Sequence, residues 1–260
     1  MNDTVLYEAG EGIATITLNR PDRLNSMNTE LLDGALEALE LAAGSSDVRV
    51  VILTGAGRAF CAGADLNAKN ILGDGDFQSR VRKLRTYVRI VQLLREMPKP
   101  TIAAVNGAAA GAGAALAFAA DLRYAAASAK FVTAYVNVGL SGDFGGTWTL
   151  PKIVGATRAR EMYLLNKPVS AEEAERIGLV SKVFPNEEFM KKVRGIAEKL
   201  ASSAPTAVRF IKQNLNEADE LSFSEALDRD GERHLMAGTS GDAKEARAAF
   251  LEKRKPKFDR

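Results

Sequence analysis

The residues best suited to chemistry in this 260-residue chain are one carboxylate and two stretches of nearly bare backbone. Asp143 lies in "NVGLSGDFGGTW", where the turn-forming pairs Ser141-Gly142 and Gly145-Gly146 hold it between apolar neighbours. A carboxylate fixed in this way can remove a proton and return it elsewhere, and it can equally cap a turn or a helix ahead of "FGGTW". The bare stretches are "TGAGRAFCAGADL", from Thr54 to Leu66, and "NGAAAGAGAALA", from Asn106 to Ala117. Gly111, Ala112 and Gly113 open an alanine-rich helix. The first turn of a helix has N–H donors without internal partners, and small side chains leave them unshielded. Such a place suits an anion or a developing oxyanion, and small residues equally let a helix pack close to a sheet.

The elements that must position these residues follow from patterning. In "GIATITLNRP", Ile13, Thr15 and Thr17 alternate with Ala14, Ile16 and Leu18, which predicts a strand ended by Pro21. A helix is expected across "NSMNTELLDGALEALELAAG", with Ser26 and Asn28 as capping candidates and Gly44 as the stop. "VRVVILTGAG" and "TIAAV" read as strands buried on both faces. Between them a mobile loop is expected over 67–76, followed by a helix through "SRVRKLRTYVRIVQLLREMPKP". That helix puts Val81, Leu84, Val88, Val91 and Leu94 on one face and arginines largely on others. The basic face reads as solvated, or in part as meeting a phosphorylated ligand. Beyond Pro151 the chain reads as a series of amphipathic helices, with no strand signal after "LVSKVF". Their apolar stripes need something to cover them, and subunit association is the expectation.

Composition narrows the function classes. Lys plus Arg number 35 against 33 Asp plus Glu, a net charge of +2 that makes no electrostatic case for a nucleic-acid binder. One cysteine, Cys61, allows no internal disulfide and no thiolate zinc site, which fits a reducing environment. The start "MNDTVLYEAG" has no secretory pattern and no apolar run reaches membrane-spanning length, so a soluble, cytoplasmic protein is expected. No Gly-Lys-Ser/Thr follows either glycine stretch, and "GAAAGAG" lacks both the spacing and the later acidic residue of a dinucleotide site. A nicotinamide enzyme is therefore disfavoured.

"CAGADL", "AVNGAAAGAGAALAFAADLRYA" and "GLSGDFGGTWTLP" resemble the crotonase superfamily of acyl-coenzyme A enzymes, also called enoyl-CoA hydratase/isomerase. The likeness runs from "LNRPDRLNSMN" to "FLEKRKPKF". It implies an α/β fold, a spiral of strand-strand-helix units, with residues 1–200 as an acyl-CoA-binding core and 201–260 as a helical region used for trimerisation. A homotrimer or a dimer of trimers is implied, with coenzyme A present only as part of the thioester substrate and no other cofactor. By position in the motifs, the N–H groups of Ala64 and Ala112 would grip the thioester oxygen. Ala62, Asp65, Leu66 and Asn67 would line the coenzyme A path, completed by Arg23 and by Phe250 and Lys253 from a neighbouring subunit.

The chain departs from the family's hydratases, which carry two glutamates acting on water, because Ala115 and Tyr135 stand at those positions. A lone Asp in Asp143's place, followed by "GGTW", is similar to the ring-epoxide isomerases of phenylacetyl-CoA breakdown. Isomerisation is then the expected chemistry, with an unusual hydratase as the alternative. A dehalogenase-like use of Asp143 as a nucleophile would need a histidine near Val88, and the single histidine is His234. On a strand, Tyr135 and Asn137 would share a face and could orient the acyl group, or pack in the core. Trp148 is expected in the helix after Asp143 or at the floor of the acyl pocket, and Cys61 as a small buried apolar residue.

Overall fold

A computed structural model describes residues 2–68 and 71–258. Its organising device is a unit of one long strand, one short strand and a helix, repeated three times. The units are β3 (Val50–Gly55), β4 (Ala59–Cys61) and α2 (Phe77–Glu96), then β5 (Thr101–Val105), β6 (Ala108–Ala110) and α3 (Ala112–Ala119), then β7 (Leu122–Ala126), β8 (Lys130–Val132) and α4 (Gly146–Val154). Ahead of them come β1 (Val5–Gly10), β2 (Ile13–Leu18) and α1 (Thr29–Gly44). After them come α5 (Ala156–Leu165), β9 (Val169–Ser170), α6 (Ala171–Arg176), β10 (Lys182–Phe184) and α7 (Phe189–Ala201). The chain closes with α8 (Pro205–Glu217), α9 (Phe223–Gly238) and α10 (Gly241–Leu251).

The long strands, joined by the three-residue β10, form a six-stranded sheet in the order β1-β2-β3-β5-β7-β10, and the other short ones a four-stranded sheet in the order β4-β6-β8-β9. Each unit therefore advances both sheets by one strand, which winds the chain into the expected α/β spiral. Only the β1–β2 and β8–β9 pairings are antiparallel among the named strands. Every residue of β3 and β5 is buried, as continuous apolar runs covered on both faces should be. Alternation in β3 sorts its residues: Val51 and Leu53 face the layer of α1, α2 and α3, whereas Val50 and Ile52 face Phe189, Val193 and Ala197 of α7. Burying each such side chain is worth about 1.5–3 kcal/mol, so the two-sided sheet is the main source of stability.

Helix starts match their caps. The Asn28 side chain accepts the Leu31 N–H at 3.0 Å, and the Asp76 carboxylate accepts the Ser79 N–H at 2.7 Å. A capping box between Ser222 and Glu225 opens α9. Of the loop expected over 67–76, residues 69 and 70 lie outside the described residues. The sequence reading passed over β1 and β7 and the short strands β4, β6, β8 and β9; of these, the two- and three-residue strands carry too little alternation to register. Strand β9 corrects the expectation of helix alone in that stretch. Ser170 closes it while its side chain caps α6. Ile211, Leu215, Phe223, Leu227 and Leu235 of the C-terminal helices are exposed on the single chain. Among the described residues, no helix is long and apolar enough to cross a membrane.

The first and second units touch through bare backbone. A Cβ placed on Gly113 of α3 would come 2.2 Å from the Cys61 carbonyl oxygen and 2.8 Å from the Cys61 Cβ. Strand β4 and the start of α3 can lie this close only with glycine there. Gly113→Ala is expected to cost roughly 1–3 kcal/mol of unfolding free energy, because both partners are backbone held in place by their own ladders. A urea titration with an unchanged midpoint would show that the contact can relax.

Candidate functional site

A cavity of about 500 Å³ opens between α2, the segment after β4, the N-terminus of α3 and the loop before α4. Ala64, Ala112, Tyr135 and Asp143 all line it, so residues far apart in sequence meet in one space.

Ala64 is presented by its neighbours. The Met27 N–H donates to the Gly63 carbonyl at 2.7 Å, and the Asp65 N–H donates to the Met27 carbonyl at 2.9 Å. Because the flanking groups bind Met27 in a parallel bridge, the N–H of Ala64 itself points the other way. Among the described residues it donates to no protein group. Two amide side chains, Asn25 buried and Asn106 partly so, pin the loop that leads here. Asn25 donates to the Ala56 and Ala59 carbonyls at 2.9 and 2.7 Å, and Asn106 donates to the Gly57 and Ala59 carbonyls at 2.9 and 3.2 Å.

Ala112 is the first residue of α3, behind Gly111 at φ 51°. The Gly111 N–H binds the Val132 carbonyl at 3.0 Å, and the next N–H, that of Ala112, has no partner among the described residues. This is a helix-start donor at the positive end of the dipole. The two free amides are neighbours: a Cβ on Gly63, at φ 87°, would lie 2.8 Å from the Ala110 carbonyl oxygen and 3.6 Å from the Ala112 nitrogen. Two backbone donors facing one space can hold a carbonyl oxygen as it gains negative charge.

Asp143 enters from a loop of left-handed residues, with Gly142 at φ 109°, Phe144 at 49° and Gly145 at 68°. The Tyr135 hydroxyl donates to Asp143 Oδ1 at 2.7 Å. Burial lifts the Asp143 carboxyl above its ordinary pKa, and the bond from Tyr135 pulls part of that back. Burial and the adjacent Asp143 charge push the Tyr135 phenol far up, which keeps it protonated. Tyr163 stacks on Tyr135 with ring centroids 6.1 Å apart and planes 8° apart, and burial followed by the Asp143 charge pushes its phenol up to about 12.

Asp65 lines the same cavity but is committed elsewhere. Burial alone would raise its pKa, yet Arg20 at 3.0 Å and the Asn67 N–H at 3.1 Å hold it below the ordinary carboxylate value. Asp143 is thus the lining carboxylate without a cationic partner. Leu66 is exposed and lines the cavity. Arg23, Ala62 and Asn67 do not line it; Arg23 and Asn67 are exposed, and the Ala62 N–H is used by the Leu24 carbonyl at 3.0 Å. Phe250 and Lys253 are exposed at the end of α10 and do not line the cavity of their own chain.

Several expectations need correction. Tyr135 and Asn137 do not share a strand face, since residues Val136–Val138 form a 3-10 turn that leaves Asn137 exposed and Tyr135 buried. Glycine at 139 and the tight Leu140 N–H to Tyr135 carbonyl bond favour the turn over extended chain. Trp148 sits in α4 but not at the cavity floor: Arg95 and Lys152 clasp its ring at 4.5 and 4.3 Å from the centroid. Cys61 is buried with its thiol pushed up to about 12 by burial, and His234 is exposed. Ala115 is fully buried beside Gly146. The sequence reading missed Asn25, Tyr87 and Tyr163, and named Arg80 only as one basic residue of its helix. Asn25, a buried asparagine at φ 56°, gives no signal in a single sequence, whereas Arg80 and Tyr87 share a helix already recognised and only their direction was hidden. Among the described residues no group of His, Cys, Asp or Glu could hold a metal ion.

Residues 8–260 match the family model described as Enoyl-CoA hydratase/isomerase. The chain is 41% identical to 1,2-epoxyphenylacetyl-CoA isomerase of Escherichia coli (strain K12), covering 99% of both chains. It is 36% identical to the short-chain-enoyl-CoA hydratase of Clostridium acetobutylicum, over 98% of this chain and 97% of that one. The enoyl-CoA hydratase structure from Bacillus anthracis superimposes with a TM-score of 0.92 at 32% identity, over 98% of each chain.

The raised Asp143 pKa fixes a sign. As pH rises, the unfolded chain releases this proton first, so the stability the carboxyl contributes at low pH is lost as pH passes through the native value. Asp143→Asn, which still offers Tyr135 an acceptor, is expected to melt at or above the wild-type temperature at pH 7, with the difference fading below about pH 4. A mutant that melts lower at pH 7 and equally at pH 4 would contradict the direction.

Proposed function

The chain belongs to the enoyl-CoA hydratase/isomerase family, and from that premise we propose that it is an acyl-CoA isomerase in which Asp143 alone moves the proton. The observation that carries this reading is the pairing, in a single cavity, of two free backbone donors with one carboxylate that has no cationic partner. The thioester oxygen of the substrate accepts from the N–H groups of Ala64 and Ala112. That acidifies the carbon next to the carbonyl, and Asp143 takes its proton. The electrons spread along the conjugated acyl group as an enolate, and Asp143 returns the proton at a different carbon. A preorganised donor of this kind is typically worth roughly a hundred- to a thousandfold in rate, and a positioned proton carrier a hundred- to ten-thousandfold.

Two substrates use this machinery, a β,γ-unsaturated acyl-CoA and the ring-1,2-epoxide of an arylacetyl-CoA. The name of the Escherichia coli relative favours the second. Hydration by two carboxylates is disfavoured, because the positions where hydratase glutamates are expected hold a buried alanine and a tyrosine that serves Asp143. The coenzyme A portion would run past Leu66 and Ala62, with Arg23, Asp65 and Asn67 alongside. Phe250 and Lys253 would reach it from a second copy in a trimer or hexamer, which gives their exposure a use. A cytoplasmic location suits an acyl-CoA substrate.

Wild-type protein in deuterium oxide is expected to convert such substrates with deuterium entering the product, and Asp143→Asn is expected to lose at least about a hundredfold in kcat. Addition of water to crotonyl-CoA at a comparable rate, or full activity in the mutant, would defeat the isomerase reading. Ala112→Pro deletes one donor at a helix position that tolerates proline, so kcat is expected to fall roughly a hundred- to a thousandfold while the melting temperature holds. Unchanged turnover would remove Ala112 from the site.

A further inference from the structure

Asp143 is carried by a loop that has little regular structure to hold it. Gly139, Gly142, Phe144 and Gly145 all have positive φ, and the backbone bonds of residues 139–146 include those from the Gly139 N–H to the Val136 carbonyl at 3.2 Å, from the Leu140 N–H to the Tyr135 carbonyl at 3.0 Å and from the Gly146 N–H to the Asp143 carbonyl at 3.3 Å. A general base must nonetheless hold its lone pair toward the proton it removes. The loop is shaped around two stacked phenol rings. A Cβ on Gly142 would lie 3.6 Å from Cε1 of Tyr163 and 3.9 Å from Cδ2 of Tyr135, and a Cβ on Gly146 would fall 2.3 Å from the Tyr163 hydroxyl. Glycines at 142 and 146 thus let the backbone close around the pair on both sides of Asp143.

Resting on the isomerase reading, we infer that Tyr135 is the positioning residue of Asp143: its hydroxyl commits Oδ1 at 2.7 Å and leaves Oδ2 as the oxygen that takes and returns the substrate proton. Tyr135 was first assigned to substrate binding, but a phenol has one proton to donate and here the carboxylate receives it. Tyr163 supports this indirectly, as the surface on which the Tyr135 ring lies flat. The tyrosine is a weak acid buried beside a negative charge, so it stays a donor while Asp143 cycles between its two forms. Its bond is strongest when Asp143 is ionised and relaxes when Asp143 holds the substrate proton. This favours the basic form at the start of the cycle.

The groups facing Asp143 keep this assignment simple. Tyr135 and Tyr163 are its titratable neighbours from the 3-10 segment and from α5. Helix α3 presents only apolar residues, Ala112 among them. Across the cavity α2 supplies Arg80 and Tyr87, and the segment after β4 supplies Asp65, which is paired with Arg20.

Tyr135→Phe keeps the ring and its stack and removes only the donated bond. Loss of a hydrogen bond to an ionised acceptor is expected to move the acid limb of the kcat/KM profile up by about one pH unit, with a several-fold fall in kcat at pH 6 and KM unchanged. Tyr163→Leu, which leaves the Tyr135 hydroxyl in place but removes the surface beneath it, is expected to give a smaller shift of the same sign. An unshifted profile, or a rise in KM at constant kcat, in a Tyr135→Phe protein with wild-type melting temperature would overturn the assignment and return Tyr135 to substrate contact. Failure of the isomerase reading is visible separately, as addition of water to crotonyl-CoA by the wild type or as full activity in Asp143→Asn, whatever Tyr135→Phe does.

Discussion

Everything at this site depends on how closely two strand-strand-helix units can approach each other. The segment after β4 and the first turn of α3 run side by side because glycines 63 and 113 present no side chain to the backbone opposite them. With any larger residue at either place the free N–H groups of Ala64 and Ala112 would be moved apart, and a single carbonyl oxygen could no longer reach both. The rest of the fold serves that approach. Parallel strands β3 and β5 fix the spacing of the units, and α2 and α7 cover the sheet so that its register is set by burial on both faces. Asn25 and Asn106 then both fasten the loop between β3 and β4.

The proposed chemistry is economical because most of its groups are backbone. An amide N–H has no rotamer to lose and no pKa to tune, so its direction is set once the chain is folded. Only Asp143 needs side-chain control. Its environment does two opposing things, since burial makes the carboxyl a stronger base and the Tyr135 bond moderates that effect while orienting it. The second acid in the cavity, Asp65, follows the opposite logic. Arg20 holds it ionised, where it braces the segment carrying Ala64.

Much of this was legible in the sequence where a feature is local. The buried strands β3 and β5, the caps of α1 and the glycine start of α3 follow from residue type and spacing within about ten positions. The roles proposed for Ala64, Ala112 and Asp143 came from motif resemblance, which carries long-range placement that periodicity cannot. What was missed is long-range and small: three-residue strands that exist because a neighbouring unit pairs with them, and Tyr163, which reaches Tyr135 from 28 positions away in a helix with no distinguishing pattern. The misplaced pair Tyr135 and Asn137 shows the same limit, because two residues two apart share a face only if the backbone between them is extended.

Ala115 and Gly146 bear on how such a site could change over evolutionary time. A Cβ on Gly146 would already stand 3.2 Å from the Ala115 Cβ and 2.3 Å from the Tyr163 hydroxyl, so the corner where a second acid would enter is filled by tyrosine and backbone. A glutamate at 115, where the alanine is fully buried beside Gly146, would have to bury its charge. Reaching a two-acid cavity from here therefore requires Tyr163 to change first, or together with Ala115. The aromatic pair that steadies one carboxylate also narrows the paths by which the chain could acquire another.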